Sequence, residues 1–262
     1  MFEMMKSQLN IIHVTWIQIQ IFLVLTGLPV FIFLDSPWLA AHLLHGQDIC
    51  DVIAVIFYCV ILVNAKDRLY WLMLVVPIVS LCAEIIGSSI LELYAYRLHN
   101  IPVYIPVAHA IAYATVYLIS KQPLIQHHHR AIEQSLKKLA FLVCVMSLLI
   151  LNDVMSFISY AVFLIIISSR KKSIFYLIMF FMVYYIEFLG TVFSTWAYYS
   201  VLGNHPNYPT ISRTPSCIAA AYILIDLVSN STYFYAIKSI KKFKAFFFKS
   251  QTLGQLRTAL GH

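Results

Sequence analysis

Stretches of about 17–25 mostly apolar residues recur along the whole chain, and a segment of that kind has few stable places to go. They fall near 12–34, 49–65, 69–93, 103–120, 135–151, 154–168, 173–195 and 216–236. Such runs are too long for buried strands and show no alternation of apolar and polar positions. Water would have to wet much of this surface, because 61% of the 262 residues are hydrophobic and only 11% are charged, against roughly 25% charged in a soluble domain. A bilayer removes the conflict. Backbone groups find no partners in hydrocarbon, so each run is expected to be a helix that satisfies its own hydrogen bonds. The fold class expected is therefore all-α: a polytopic membrane helix bundle of about eight transmembrane helices. The first run is longer than the roughly 7–15-residue core of a signal peptide and reads as a retained span.

Charge orients the bundle. With eight spans, Lys6, Lys66, Arg68, Lys121, Arg130, Lys137, Lys138, Arg170, Lys171, Lys172 and the Lys and Arg residues from Lys238 to Arg257 share one side. That is 16 of the 18 Lys and Arg; only Arg97 and Arg213 lie opposite, and the positive side is the cytoplasm. Asn152-Asp153 must then be a tight turn between two spans, since a single helix from 139 to 169 would put Lys137 and Arg170 on opposite faces. Both termini are expected in the cytoplasm of a multi-pass membrane protein, with a bacterial inner membrane as the expected location. The tail from 238 to 262 interleaves Lys with Phe and suits anionic headgroups. The net charge of +7 reflects this sidedness and points to no nucleic-acid partner.

The chain also matches itself. A shift of 103 places Glu84 on Glu187, Gly87 on Gly190 and Tyr96 on Tyr199. A shift of 109 places Pro106, Ala110, Ala112, Tyr113, Leu118 and Ser120 on Pro215, Ala219, Ala221, Tyr222, Leu227 and Ser229. The expected organisation is two four-helix repeats, 1–120 and 121–237, followed by the tail. Both repeats start inside, so they are parallel and related by an axis along the membrane normal.

Glu84 and Glu187 carry the chemistry. A carboxyl inside a span must be neutral, bonded or facing a wet cavity. Ser80, Glu84 and Ser88 share one helix face, and Glu187, Thr191, Ser194 and Tyr198 form the matching stripe. Gly87 and Gly190 let neighbouring helices approach, so the same faces also suit a purely structural contact between the halves. Farther along, His109, Tyr113 and Tyr117 line up in one half and Tyr222, Asp226 and Asn230 in the other. The catalytic candidates are therefore Glu84, Glu187, His109 and Asp226. Candidate substrate contacts are Arg97, Arg213, Tyr96, Tyr199, Tyr113 and Tyr222, with either arginine pairing with a glutamate or receiving an anionic headgroup.

No phosphate loop, nucleophile motif or cofactor fingerprint is present, and no cofactor is expected. The five scattered cysteines lack any C-x-x-C spacing. His127-His128-His129 stands alone in an inner loop, whereas membrane di-iron enzymes need several histidine boxes. His42, His45, Asp48 and Asp51 recur at every third position on the outer side, a spacing that a metal or a polar re-entry segment can use; no metal is expected.

The pattern Glu84-x-x-Gly87, Tyr94-x-Tyr96 and Ile101-Pro-Val-Tyr-Ile-Pro106 resembles a stretch of the membrane carotenoid hydratases. The resemblance covers roughly forty residues of the first half, and His109 stands where the family pattern has tryptophan. It implies a shared architecture and an isoprenoid-like substrate; the reaction is not carried over. The residues themselves leave three readings open: an acid/base enzyme acting on a lipid or isoprenoid-like molecule, a small proton- or cation-coupled carrier, and an accessory subunit without a site. Membrane lipids and a hydrophobic small molecule are the expected partners; nothing in the sequence speaks to oligomeric state.

The orientation is directly testable. In a background lacking the native cysteines, single cysteines at 66 and 121 are expected to resist an impermeant thiol reagent applied to intact cells, while cysteines at 99 and 205 react. Outside labelling at 66 or 121 would overturn the arrangement.

Overall fold

A computed structural model describes residues 2–169, 173–213 and 216–260, with side chains described between 15 and 239 apart from Ala221. Arg170, Lys171, Lys172 and Pro215 therefore fall outside it, as do the side chains of Ala221, of Lys6 and of the basic tail beyond 239. Most of the described residues are helical. Helix α1 spans Phe2–Leu34, and a short α2 spans Pro37–Ala40. Helices α3 (Gly46–Asn64) and α4 (Asp67–Glu84) follow, and α4 runs on into a π-helical turn over Ile85–Ile90. A short strand β1 (Tyr94–Tyr96) precedes α5 (Tyr104–Ser120). The second part holds α6 (Pro123–His127), α7 (His129–Leu151), α8 (Val154–Ser168), α9 (Ser173–Val192), β2 (Trp196–Tyr198) and α10 (Ser216–Leu260).

Six of these segments are long and apolar enough to cross a membrane: Thr15–Leu34, Gly46–Asn64, Asp67–Ile90, His129–Leu151, Ser173–Val192 and Ser216–Ser239. Two shorter apolar helices, Tyr104–Ser120 and Val154–Ser168, lie among them. Large apolar side chains such as Phe22, Val63, Leu149 and Ile165 stay exposed on the outer faces, which suits lipid and not water.

Local chemistry explains the boundaries. At the turn after α7, Asn152 takes a left-handed conformation (φ 54°, ψ 37°) and ends the helix. Asp153 then caps α8, accepting from the Ser156 backbone N–H at 2.9 Å and from its hydroxyl at 2.6 Å. Ser36 caps α2, with Pro37 at its first position. Pro106 sits in the first turn of α5, where its missing N–H costs nothing. Pro29 and Pro77 lie inside α1 and α4, and both helices continue past them. In the outer His42–Asp51 stretch, Asp48 and Asp51 already belong to the first turns of α3.

Packing places four helices at the centre. Helix α4 lies against α5 and α10, and α9 lies against α10 and α5. Helix α3 flanks α5, α8 flanks α10, α7 leans on α8 and α9, and α1 leans on α3, α5 and α9. The burial agrees: 61% of the α9 window is buried but only 17% of the windows in α1 and α7. Strands β1 and β2 pair antiparallel, with Tyr94 opposite Tyr198, Ala95 opposite Ala197 and Tyr96 opposite Trp196. That ribbon ties the loop after α4 to the loop after α9.

Polar groups lock the same end. Asp35, at the end of α1, takes two bonds from the Arg97 guanidinium (2.5 and 3.1 Å) and one from the Tyr104 phenol at 2.9 Å. Asp51 accepts the Tyr104 backbone N–H at 2.7 Å, filling an orphan donor at the start of α5. The Thr195 hydroxyl and the Cys50 thiol donate to the last carbonyls of α1, at Ile32 and Phe31.

Asp35 is only 2% exposed. Asp35→Asn should cost about 3 kcal/mol, because it strands the Arg97 charge; Asp153→Ala should cost about 1–2 kcal/mol, the value of a cap. Thermal unfolding in detergent would show this order, and a harmless Asp35→Asn would refute it.

Candidate functional site

The central helices enclose a cavity of about 580 Å3. Its walls are apolar, with Leu28, Phe31, Phe57, Ile86, Ile186 and Ile225 among them. The polar exceptions are Glu84, Glu187, His109, Tyr94, Tyr96, Tyr104, Trp196, Tyr198 and Tyr222. The cavity thus lies where the two glutamate helices face each other across α5 and α10.

Each carboxyl sits in a socket of aromatic donors. Tyr94 and Tyr96 of β1 both donate to Glu84 Oε2 at 2.6 Å. In the other half, Trp196 Nε1 donates to Glu187 Oε2 at 2.9 Å and the Tyr198 phenol donates to it at 2.7 Å. A strand makes this possible: residues two apart share one face, so a single strand delivers two donors to one oxygen. Burial first, and the facing glutamate second, push the Tyr94 and Tyr198 phenols far above their ordinary range. They remain protonated and keep donating. The Tyr94 and Tyr198 rings meet across the ribbon with centroids 5.2 Å apart.

The glycines three residues on leave room for those donors. A Cβ on Gly87 would stand 3.0 Å from the Tyr94 Oη, and one on Gly190 would overlap the Trp196 indole. The spacing differs by one residue between the halves. Glu84 meets aromatics 10 and 12 positions later, and Glu187 meets them 9 and 11 positions later. The π-helical turn over Ile85–Ile90 lies in that interval on the first side only, and a π turn adds one residue to a helix without changing its course. Sequence matching at a constant shift therefore pairs Tyr96 with Tyr199, whereas the structure sets Tyr96 against Trp196 in the ribbon and gives the Glu187 contact to Tyr198. Tyr199 instead donates its backbone N–H to Leu93.

His109 completes the first socket. Its Nε2 stands 3.5 Å from Glu84 Oε1, and its Nδ1 bonds the Ser80 hydroxyl. Ser80, one turn before Glu84, is fully buried. Neither glutamate has a Lys or Arg in ion-pair range among the described residues. The aromatic donors of both carboxyls converge on Oε2, and on the first side His109 faces Oε1.

The other residues singled out by sequence lie elsewhere. Asp226 does not line the cavity. It accepts from Tyr113 and Tyr176 at 2.8 Å each and from Asn230, and Asn230 in turn bonds Arg68 at the start of α4. This is a separate polar knot about ten residues deeper along α10. Arg97 binds Asp35 and neither glutamate; Arg213 is exposed. Neither arginine lines the cavity. Thr191 donates to its own helix carbonyl at Glu187, and α9 ends at Val192, so the stripe expected through Ser194 does not form. Tyr222 lines the cavity, its ring 4.8 Å from that of His109. Sequence reasoning passed over Trp196 as a glutamate partner; the signal was an aromatic pair spaced by two, nine to twelve residues after each Glu-x-x-Gly. Among the described residues no group of three or more His, Cys, Asp or Glu is placed to hold a metal, and His45 meets Asp48 at 2.9 Å on the surface.

No protein-family model, curated protein or solved structure matches this chain.

The sockets differ in tolerance. Gly190→Ala should displace Trp196 and destabilise by about 1–3 kcal/mol, visible as a shift in tryptophan emission. Gly87→Ala should be milder, because only a phenol tip has to move. Equal effects would argue against this packing.

Proposed function

We propose that this chain is a membrane-embedded acid/base enzyme acting on a lipid or isoprenoid-like substrate held between two repeated halves. The observation that carries the reading is the pair of socketed carboxyls on one apolar cavity. Roughly 300–1,000 Å3 is the usual range for a small-molecule site, and 580 Å3 falls within it. Walls of aliphatic and aromatic carbon select a hydrocarbon chain. Carboxyls held by neutral donors in a dry chamber suit proton transfer to or from the polar or unsaturated part of that chain. Helices α1 and α3 and the π turn, which carry exposed apolar side chains, also wall the cavity, so the substrate enters from the lipid.

The architecture proposed with it is eight spans in two parallel repeats, with both ends cytoplasmic, in a bacterial inner membrane. The matched packing supports the duplication: α4 on α10 mirrors α9 on α5, and α3 on α5 mirrors α8 on α10. An antiparallel ribbon through Ala95 and Ala197 is what a two-fold axis along the membrane normal requires of equivalent strands. Helices α5 and α8, with 17 and 15 residues, reach about 25 and 22 Å at 1.5 Å per residue, and local thinning of the bilayer accommodates them. The sixteen inner-side basic residues support the orientation.

Glu84→Gln and Glu187→Gln, made separately, should each lower activity by about 100-fold or more while membrane abundance holds. Lipid extracts of cells lacking the protein should show an accumulated precursor species. Unchanged lipids with altered movement of a solute would favour a carrier, and loss of the protein in both variants would leave the glutamates a structural role.

A further inference from the structure

Of the six aromatic N–H and O–H groups lining the cavity, four are taken by the glutamates and that of Tyr104 by Asp35, and the sixth has no acceptor. The Tyr222 side chain is 6% exposed, lines the cavity, and its hydroxyl has no hydrogen-bond partner among the described residues. A buried hydroxyl left unbonded is costly, and native structures rarely keep one without a purpose. The comparison with Tyr113 sharpens the point. The 109-residue shift that relates these two tyrosines gives Tyr113 a carboxylate acceptor, Asp226, at 2.8 Å. Tyr222, one shift later, has nothing.

The surroundings narrow what the missing partner is. The cavity lining includes Glu84 and Glu187 but no Lys or Arg. A phosphate or carboxylate headgroup would bring negative charge beside two carboxyls with no cation to offset it. An ammonium group has no lone pair to accept from Tyr222. A plain hydrocarbon leaves the phenol unbonded. A neutral hydroxyl satisfies every group, accepting from Tyr222 and donating to a glutamate oxygen that the aromatic donors leave open.

We propose that the cavity binds an apolar lipid alcohol, such as a prenyl-type alcohol, whose hydroxyl oxygen accepts the Tyr222 O–H and whose hydroxyl proton faces the glutamate pair. This inference rests on reading the cavity as a lipid site and adds the polar group that the lipid carries. It gives Tyr222, one of the substrate contacts expected from sequence, the specific task of recognising the substrate oxygen, which the two arginines do not reach because neither lines the cavity.

The test uses the full chain in phosphatidylcholine nanodiscs, with equilibrium binding of labelled geranylgeraniol and of the saturated hydrocarbon of the same skeleton. Wild type should bind the alcohol about tenfold more tightly, the worth of one net hydrogen bond in a dry site. Tyr222→Phe should erase that preference while hydrocarbon binding stays within about twofold. Equal binding of the two compounds by wild type overturns the proposal, and so does a preference that survives Tyr222→Phe; in both cases the lipid cavity stands. Binding of neither compound overturns the alcohol and the lipid cavity together.

Discussion

A carboxyl group inside an apolar helix bundle has to be bonded, and the arrangement of this protein follows from how two of them are served. Hydrocarbon offers no hydrogen-bond donors, so those that serve a carboxyl there come from the protein. A helix neighbour offers side chains every three or four residues and rarely aims two donors at one oxygen. A strand does so with residues two apart. The β1–β2 ribbon is therefore less a sheet than a carrier for four donors, and its antiparallel pairing serves both glutamates at once.

That requirement propagates outward. The ribbon can reach the glutamates only if the helix surfaces between them are flat, hence Gly87 and Gly190. It can hold its register only if the loops around it are anchored, and Arg97, one residue past β1, is anchored on Asp35. Asp35 in turn receives Tyr104, whose backbone is held by Asp51. One chain of polar contacts thus joins α1, α3, β1 and α5 at the same end of the bundle. Farther along the chain, Asp153 holds Ser156, and the Ser156 hydroxyl accepts the Cys217 N–H at the start of α10. The residues differ, but the task of satisfying a helix start inside an apolar region is the same.

The halves are not copies in their chemistry. His109 and Ser80 attend Glu84, with no counterpart beside Glu187 among the described residues. Asp226 draws Tyr113 into a polar knot with Asn230 and Arg68, away from the cavity.

What the sequence determined by itself was everything carried by one element at a time. Apolar runs announced helices, the Asn152-Asp153 pair announced the turn between α7 and α8, and the glutamates with glycines three residues on singled out two side chains that line the central cavity, because helix period and the cost of an intramembrane charge act locally. Only the tertiary structure decided who meets whom. The donors of each glutamate lie on strands that no periodicity predicts, and the π turn slips their register by one residue, so a constant shift pointed to Tyr199 in place of Tyr198. Arg97 found Asp35, 62 residues away in the chain, and Asp226 went to its own network, because pairing across elements depends on which faces the packing brings together. Composition shows that polar groups must be satisfied; the packed bundle chooses their partners and, among the described residues, leaves the Tyr222 hydroxyl on the cavity wall without one.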